Sequence, residues 1–547
     1  MNQWDLRGED YISRIQQGKR FADGKIIQAK NIVPLLESVI KSGDKICIEG
    51  DNQKQADFLA KALCKIDAQK VNHLHMIQST IALPEHLDVF EKGIASKIDF
   101  AYSGPQSKRL AKMIQDGTVK VGAIHTYMEL YGRYYVDLTP RVALVVGLQA
   151  DKNGNLFTGG STEDTPAIIE AVKARKGIVI AQVNKIVDKL PRIDFSGDWV
   201  DFIVESPSPF TLEPLFTRDP AKISNKRILK AMMALQLYKE YNIKTLNHGI
   251  GYDTAAIELL LPTYGEELGL KGKICQNFVL NPHPTMIPAI EAGWVKSIHS
   301  PGSEVGMEEY VKSRPDVFFV DPSGEMRSSR VFTQIAGQYA IDLFIGSTLQ
   351  IDKYGNSSTA TKTSVAGFGG APNIGSDAHG RRHASYAWTQ CGDENTGKNK
   401  LIGSVPRGQK LVVQVIDTVS AKGFPGFVEE LDAMELAKKA NLEVPPIMIY
   451  GDDLTHIITE KGVAYLNKCS SLEERMAAIR SIAGDSPVGQ MEKKEETMQL
   501  RARGIVRTPK DMGCDVNRAT SDLLAAHSIK ELMEISGGLY QPPQKFL

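Results

Sequence analysis

Two glycine-bearing segments hold the residue types that could handle negative charge. The first, Asn247-His248-Gly249-Ile250-Gly251, lies between an apolar strand run and a helical pattern. Glycines there let a ligand approach the backbone closely, and a following helix N-terminus directs N–H groups at an anion. A dinucleotide fingerprint needs a third glycine, and Thr254 stands in its place, so that reading fails. A turn that merely joins strand to helix is an equal alternative at this point. The second segment runs Gly367-Phe368-Gly369-Gly370-Ala371-Pro372-Asn373-Ile374-Gly375 and on to His379, Arg381, Arg382 and His383. Its N–H groups could hold an oxyanion, and an arginine fork matches the geometry of a carboxylate. A solvated insertion with surface charge is the alternative. Phe368 and Ile374 argue for packing, and long packed loops are usually functional.

Other polar clusters carry less. His73 and His75 share a face of the strand-like run 71–77, but no acidic or thiol partner sits at ligand spacing, so no metal site is expected. The run 492–503 reads as a solvated helix face or, at most, a docking surface.

An internal repeat indicates what positions these segments. Leu148-Gln-Ala-Asp-Lys-Asn-Gly-Asn155 returns as Leu349-Gln-Ile-Asp-Lys-Tyr-Gly-Asn356, an offset of 349 − 148 = 201. The strand-to-glycine turns ending at Gly50 and Gly251 show the same offset, 251 − 50 = 201. Aligning Gln182 with Gln414 gives 414 − 182 = 232, so the second half holds 31 further residues between its last two landmarks. Turn chemistry explains one D-K-x-G-N echo but not the shared spacing, so duplication is the stronger reading. Strand runs alternate with helical patterns in each half, which predicts two open α/β units with largely parallel sheets. The expected division is 1–220 and 221–547, with a linker at 218–224. A glycine-rich insertion near 367–400 and a C-terminal tail belong to the second unit.

Bulk properties exclude several classes. The 547 residues exceed what one hydrophobic core serves. Lys plus Arg and Asp plus Glu are each 65, which argues against a nucleic-acid partner, since such binding needs surplus cations. No signal peptide is indicated, and the longest apolar runs are strand-length, so direct membrane insertion is not expected. Six scattered cysteines read as reduced thiols. A cytoplasmic enzyme is the expectation.

The doubled half, the G-I-G turn and the strand Ile180-Ala181-Gln182-Val183-Asn184 together resemble the family I CoA-transferases, from about residue 32 to about 482. Those enzymes place the active site between two related α/β domains. Beyond that family, G-F-G-G-A-P-N-I-G-S-D-A-H-G-R-R-H-A and the tail from Ser536 to Phe546 resemble malonate decarboxylase α subunits. The resemblance implies an acyl-carrier-protein transferase that converts acetyl-S-carrier plus malonate into malonyl-S-carrier plus acetate. It implies a carrier-protein partner with a phosphoribosyl-dephospho-CoA arm, separate decarboxylase β and γ subunits, and no cofactor bound covalently to this chain.

One departure from the CoA-transferases shapes the chemistry. Their nucleophilic glutamate follows the G-I-G helix, and by eye Thr285 falls there, in Asn281-Pro-His283-Pro-Thr285. Neither the strand before it nor Glu291, at a helix end, supplies the carboxylate. Malonate itself is then expected to attack the thioester and give a mixed anhydride. Gly249, Gly251, Gly369 and Gly370 are expected to donate N–H groups to the oxyanions, with Asn373 as a side-chain donor. Arg381 or Arg382 would neutralise the second carboxylate of malonate. His248 and Thr285 are expected at the substrate, and Gly367 and Asn184 at the carrier arm. An ordinary CoA-transferase, a citrate lyase α-type transferase and a non-catalytic scaffold are the alternatives.

Overall fold

The structure is a computed structural model that describes residues 3–50, 54–210, 218–322, 326, 328–375 and 411–547. The near-continuous apolar run of Val142–Ala150 is buried on both faces, as suits a parallel strand covered by helices on each side. It sits inside a sheet ordered Phe202–Glu205, Ile178–Ile186, Val142–Ala150, Lys45–Ile48, Leu74–Thr80, Ala95–Tyr102 and Lys120–Ile124. The second sheet contains His456–Thr459, Leu411–Val415, Leu343–Ser347, Thr245–His248, Asn277–Val279 and Ser297–His299 in the matching order. The six matched strands pair in parallel in both sheets. Two open α/β units on one plan result.

The repeated hairpin is one object built twice. Asp151 Oδ1 accepts the N–H groups of Asn153 and Asn155 at 2.9 and 3.0 Å, and Asp352 Oδ1 accepts those of Tyr354 and Asn356, both at 2.9 Å. Each asparagine side chain then accepts a distant N–H, from Gly197 or Gly451, at 2.9 Å. Sequence spacing nevertheless misplaced two landmarks by one residue. Glu49 N–H donates to Leu144 O and Gly249 N–H to Ile345 O, so 249 − 49 = 200 while 345 − 144 = 201. Gly50 therefore corresponds to Ile250 rather than Gly251. Likewise Leu144 faces Ile180 and Ile345 faces Val413, and 413 − 180 = 233. Gln182 and Gln414 thus lie on opposite faces of the repeat, because one step along a strand reverses the side chain.

The halves interlock. Ala360, Val365, Leu431 and Leu436 come late in the chain yet share a core with first-half residues such as Leu110 and Ala111. In the expected linker 218–224, Arg218, Pro220 and Ile223 are buried while Ala221, Lys222 and Ser224 are exposed. The C-terminal tail packs on the second core through Leu532 and Tyr540. No described helix is long and apolar enough to cross a membrane.

Candidate active site

The Gly367–Gly370 segment leaves the second half and lies along the end of the Ala95–Tyr102 strand of the first. Phe368 and Gly369 N–H groups both donate to Ala101 O, at 2.7 and 3.0 Å, and Ser103 N–H donates to Ala366 O at 2.9 Å. Gly369 O in turn accepts the Tyr127 N–H at 3.1 Å. Glycine is required at 367: φ is +77°, and a Cβ would come 2.4 Å from Ala101 O. A cavity of about 320 Å³ is left between the halves, walled by Tyr102 and Tyr127 on one side and by Asn247–Ile250, Asn281 and the glycine segment on the other.

The structure sorts the expected donors. Gly249 and Gly369 line this cavity, but their N–H groups are already given to Ile345 O and Ala101 O, which removes them as oxyanion donors. No acceptor for the N–H of Ile250, Gly251 or Gly370 is found among the described residues. Gly251 precedes the helix Tyr252–Leu260 with φ +142°, a conformation open essentially to glycine alone. Gly370 precedes the helix Ala371–Ile374. Asn373 is buried away from the cavity, which its neighbours Ala371 and Ile374 line instead. Gly367 lines the cavity, with its carbonyl accepting from Thr359 Oγ1. Asn184 lies apart, in a second cavity of about 250 Å³, where its Oδ1 accepts the Phe210 N–H at 2.9 Å. Arg381 and Arg382 lie outside the described residues.

Beneath the cavity is a carboxylate that the sequence reading missed. Glu258 is fully buried within the Tyr252–Leu260 helix. It meets His248 Nδ1 at 3.1 Å and His283 Nδ1 at 2.9 Å, accepts the Thr285 hydroxyl, and lies 3.7 Å from Arg218 Nη1. Arg218 Nη2 donates to His283 Nε2 at 2.7 Å. A guanidinium cannot accept, so His283 is neutral and its Nδ1–H points at Glu258. Burial and the nearby guanidinium hold the His283 pKa down to about 4. Burial alone would raise Glu258, but His283, His248 and Arg218 outweigh it and hold the carboxyl well below the usual range. The ring of His248 is spent at both nitrogens, on Glu258 and on the Tyr238 hydroxyl at 3.1 Å. His248 and Thr285 therefore build the floor of the site. Glu258 itself does not line the cavity, and no Asp or Glu does so among the described residues. The signal for it was a single glutamate inside the apolar run Ala255-Ala-Ile-Glu258-Leu-Leu-Leu261.

Arg330 was also missed. It lines the cavity from the second half and pairs with two first-half carboxylates, Asp164 at 2.7 Å and Glu163. Its guanidinium lies 4.4 Å from the Tyr127 ring centroid. The pair of acids and the ring lock the halves across the cavity. Unlike the expectation from sequence spacing, His75 does have an acidic partner: its Nε2 is 2.6 Å from Asp99 on the neighbouring strand, and Asp99 also meets His125 Nε2 at 2.7 Å. No metal-ligating group of three or more His, Cys, Asp or Glu occurs among the described residues.

Comparison with known proteins agrees with this architecture. The chain is 59% identical over 546 residues to an acetyl-S-ACP:malonate ACP transferase from Malonomonas rubra, covering 100% of this chain and 99% of that protein. It superposes with TM-score 0.93 and 52% identity on a chain of a Pseudomonas malonate decarboxylase hetero-tetramer solved in complex with malonate, with full coverage of both. A putative citrate lyase α subunit from Streptococcus mutans, at 14% identity and TM-score 0.58 over 86% of this chain and 85% of that one, shares the fold. A family model described as malonate decarboxylase, alpha subunit, transporter matches residues 3–547, and the chain belongs to that family.

Proposed function

We propose that this chain transfers the acyl-carrier thiol from acetate to malonate, turning acetyl-S-carrier and malonate into malonyl-S-carrier and acetate. The observation that carries the reading is a cavity between twin lobes that offers N–H donors and, among the described residues, no carboxylate, while Glu258 is sealed behind it. A malonate oxygen attacks the acetyl carbonyl carbon, the C–S bond breaks, and an acetyl–malonyl anhydride and carrier thiolate form. The thiolate then attacks the malonyl carbonyl and acetate leaves with the bridging oxygen. Both steps pass through oxyanions, which donors fixed in advance stabilise most strongly where water is excluded. The Gly370 N–H group is the backbone donor in this reading; Gly251, whose N–H is also unspent among the described residues, does not line the cavity.

Arg381 or Arg382 would face the second carboxylate of malonate, and Asn184 and Gly367 the phosphoribosyl-dephospho-CoA arm of the carrier. The partners proposed are that carrier protein and the decarboxylase β and γ subunits. The setting is a cytoplasmic complex, consistent with balanced charge and free thiols at all five described cysteines. The test is incubation of the purified chain with acetylated carrier and labelled malonate. Labelled malonyl thioester is expected; its absence contradicts the reading and favours a scaffold. Borohydride capture of a glutamyl thioester would instead favour an ordinary CoA-transferase.

A further inference from the structure

We infer that Gln334 is a catalytic side-chain donor, completing an oxyanion site with the Gly370 N–H. Gln334 lies in the helix Arg330–Ala340, one turn after the arginine that binds the two halves together. It is buried, at 6% exposure, yet lines the cavity. Its buried Oε1 has no hydrogen-bond partner among the described residues. A buried amide left without partners costs a few kcal/mol, so such a group persists where a ligand completes it.

The neighbouring glycine fixes where that ligand sits. A Cβ on Gly370 would come 2.3 Å from Gln334 Nε2 and 2.7 Å from Oε1, so the amide lies against the bare backbone of residue 370. The Gly370 N–H also has no protein acceptor among the described residues. One backbone and one side-chain donor thus flank the same corner of the cavity. Asn373, expected from sequence to fill this role, is turned away.

The inference rests on the transfer reading above. When a malonate oxygen adds to the acetyl carbonyl, the carbonyl π pair moves onto its oxygen, and Nε2–H and N–H donate to that anion. The pair returns as the C–S bond breaks, and the second step repeats the cycle with acetate leaving. No proton is transferred, so the amide needs only to donate.

The experiment uses the full chain with acetylated carrier and labelled malonate. Gln334→Leu keeps the bulk and removes the donor; it should lower kcat about 100-fold with KM for malonate unchanged. Gln334→Glu should be at least as slow at neutral pH, because a carboxylate faces the oxyanion, and should recover several-fold as pH falls and the carboxyl becomes an O–H donor. A residue that only supports the fold would show no such recovery. Thermal unfolding of each variant reports folding separately. An active wild type with Gln334→Leu equally fast, or with only KM changed, overturns the inference alone. A wild type that makes no malonyl thioester overturns the transfer reading instead.

Discussion

The two halves end equivalent strands in opposite ways. In the first, position 49 carries a glutamate whose buried side chain accepts the Val146 N–H at 2.8 Å and pairs with buried Lys54 at 3.0 Å. In the second, the matching position is Gly249, and Ser347, which answers to Val146 at the offset of 201, lines an open cavity. A Cβ at 249 would already crowd Gly346 Cα and Ile345 O, at 3.1 and 3.2 Å. One copy of the fold is plugged by an ion pair and supports structure. The other is kept empty at the same point and can hold a reaction.

Installing the plug in the open copy should have the largest effect. A carboxylate from Gly249→Glu, about 4 Å from bound malonate, costs about 4 kcal/mol at an effective dielectric of 20, so transfer should fall about 1,000-fold in the labelled-malonate assay. Equal activity would show that the cavity is not where malonate reacts. Removing the existing plug should act differently. Glu49→Leu strands Lys54 in the core and should cost about 3–5 kcal/mol in urea unfolding, with KM for malonate unchanged. A changed KM would mean the first-half network reaches the site.

Acid should separate the halves next. Burial holds His86 near pKa 4 in the first half, while His283 and His456 are held near 4 and 3 in the second. Each is neutral when folded and protonates at about 6.5 when unfolded, so the unfolded chain binds more protons and stability falls as pH drops below about 6.5. A single shift from about 6.5 to about 4 removes about 3 kcal/mol by pH 4. His125 works in the opposite sense. Burial lowers it, but Asp99 and Glu129 outweigh that and raise it, so its contribution is present below the ordinary histidine value and lost as pH rises through the raised one. Hydrogen exchange near pH 5 should therefore open the second sheet before the first; the reverse order would contradict this assignment.

The smallest effect tests symmetry itself. Asp151→Ala and Asp352→Ala remove the same turn contacts and should each cost about 1–2 kcal/mol, within error of one another. Unequal losses would show that the hairpins have diverged in role.

Much of this was legible in the residues. The hairpin echo announced the duplication because Asp, Asn and Gly make one specific set of turn bonds, and those bonds recur. The G-F-G-G segment lines the cavity, and only glycine tolerates the close approach of residue 367 to Ala101. Donor direction was not legible. Whether the N–H of Gly249 or Gly251 is spent depends on strand register, and a one-residue slip in the repeat left that undetermined. Gln334 carries no motif, because its significance comes from a glycine 36 residues away that meets it only after folding. Glu258 was visible as an oddity in an apolar helix, but its four partners come from three separate segments.

Oxygen tracing in a single turnover is the most direct test of malonate as the attacking group. With malonate carrying 18O in its carboxylates and unlabelled acetyl-S-carrier, the released acetate should hold one 18O, delivered as the bridging atom of the anhydride. Unlabelled acetate, with 18O recovered in a glutamate or aspartate of the protein, would contradict the account.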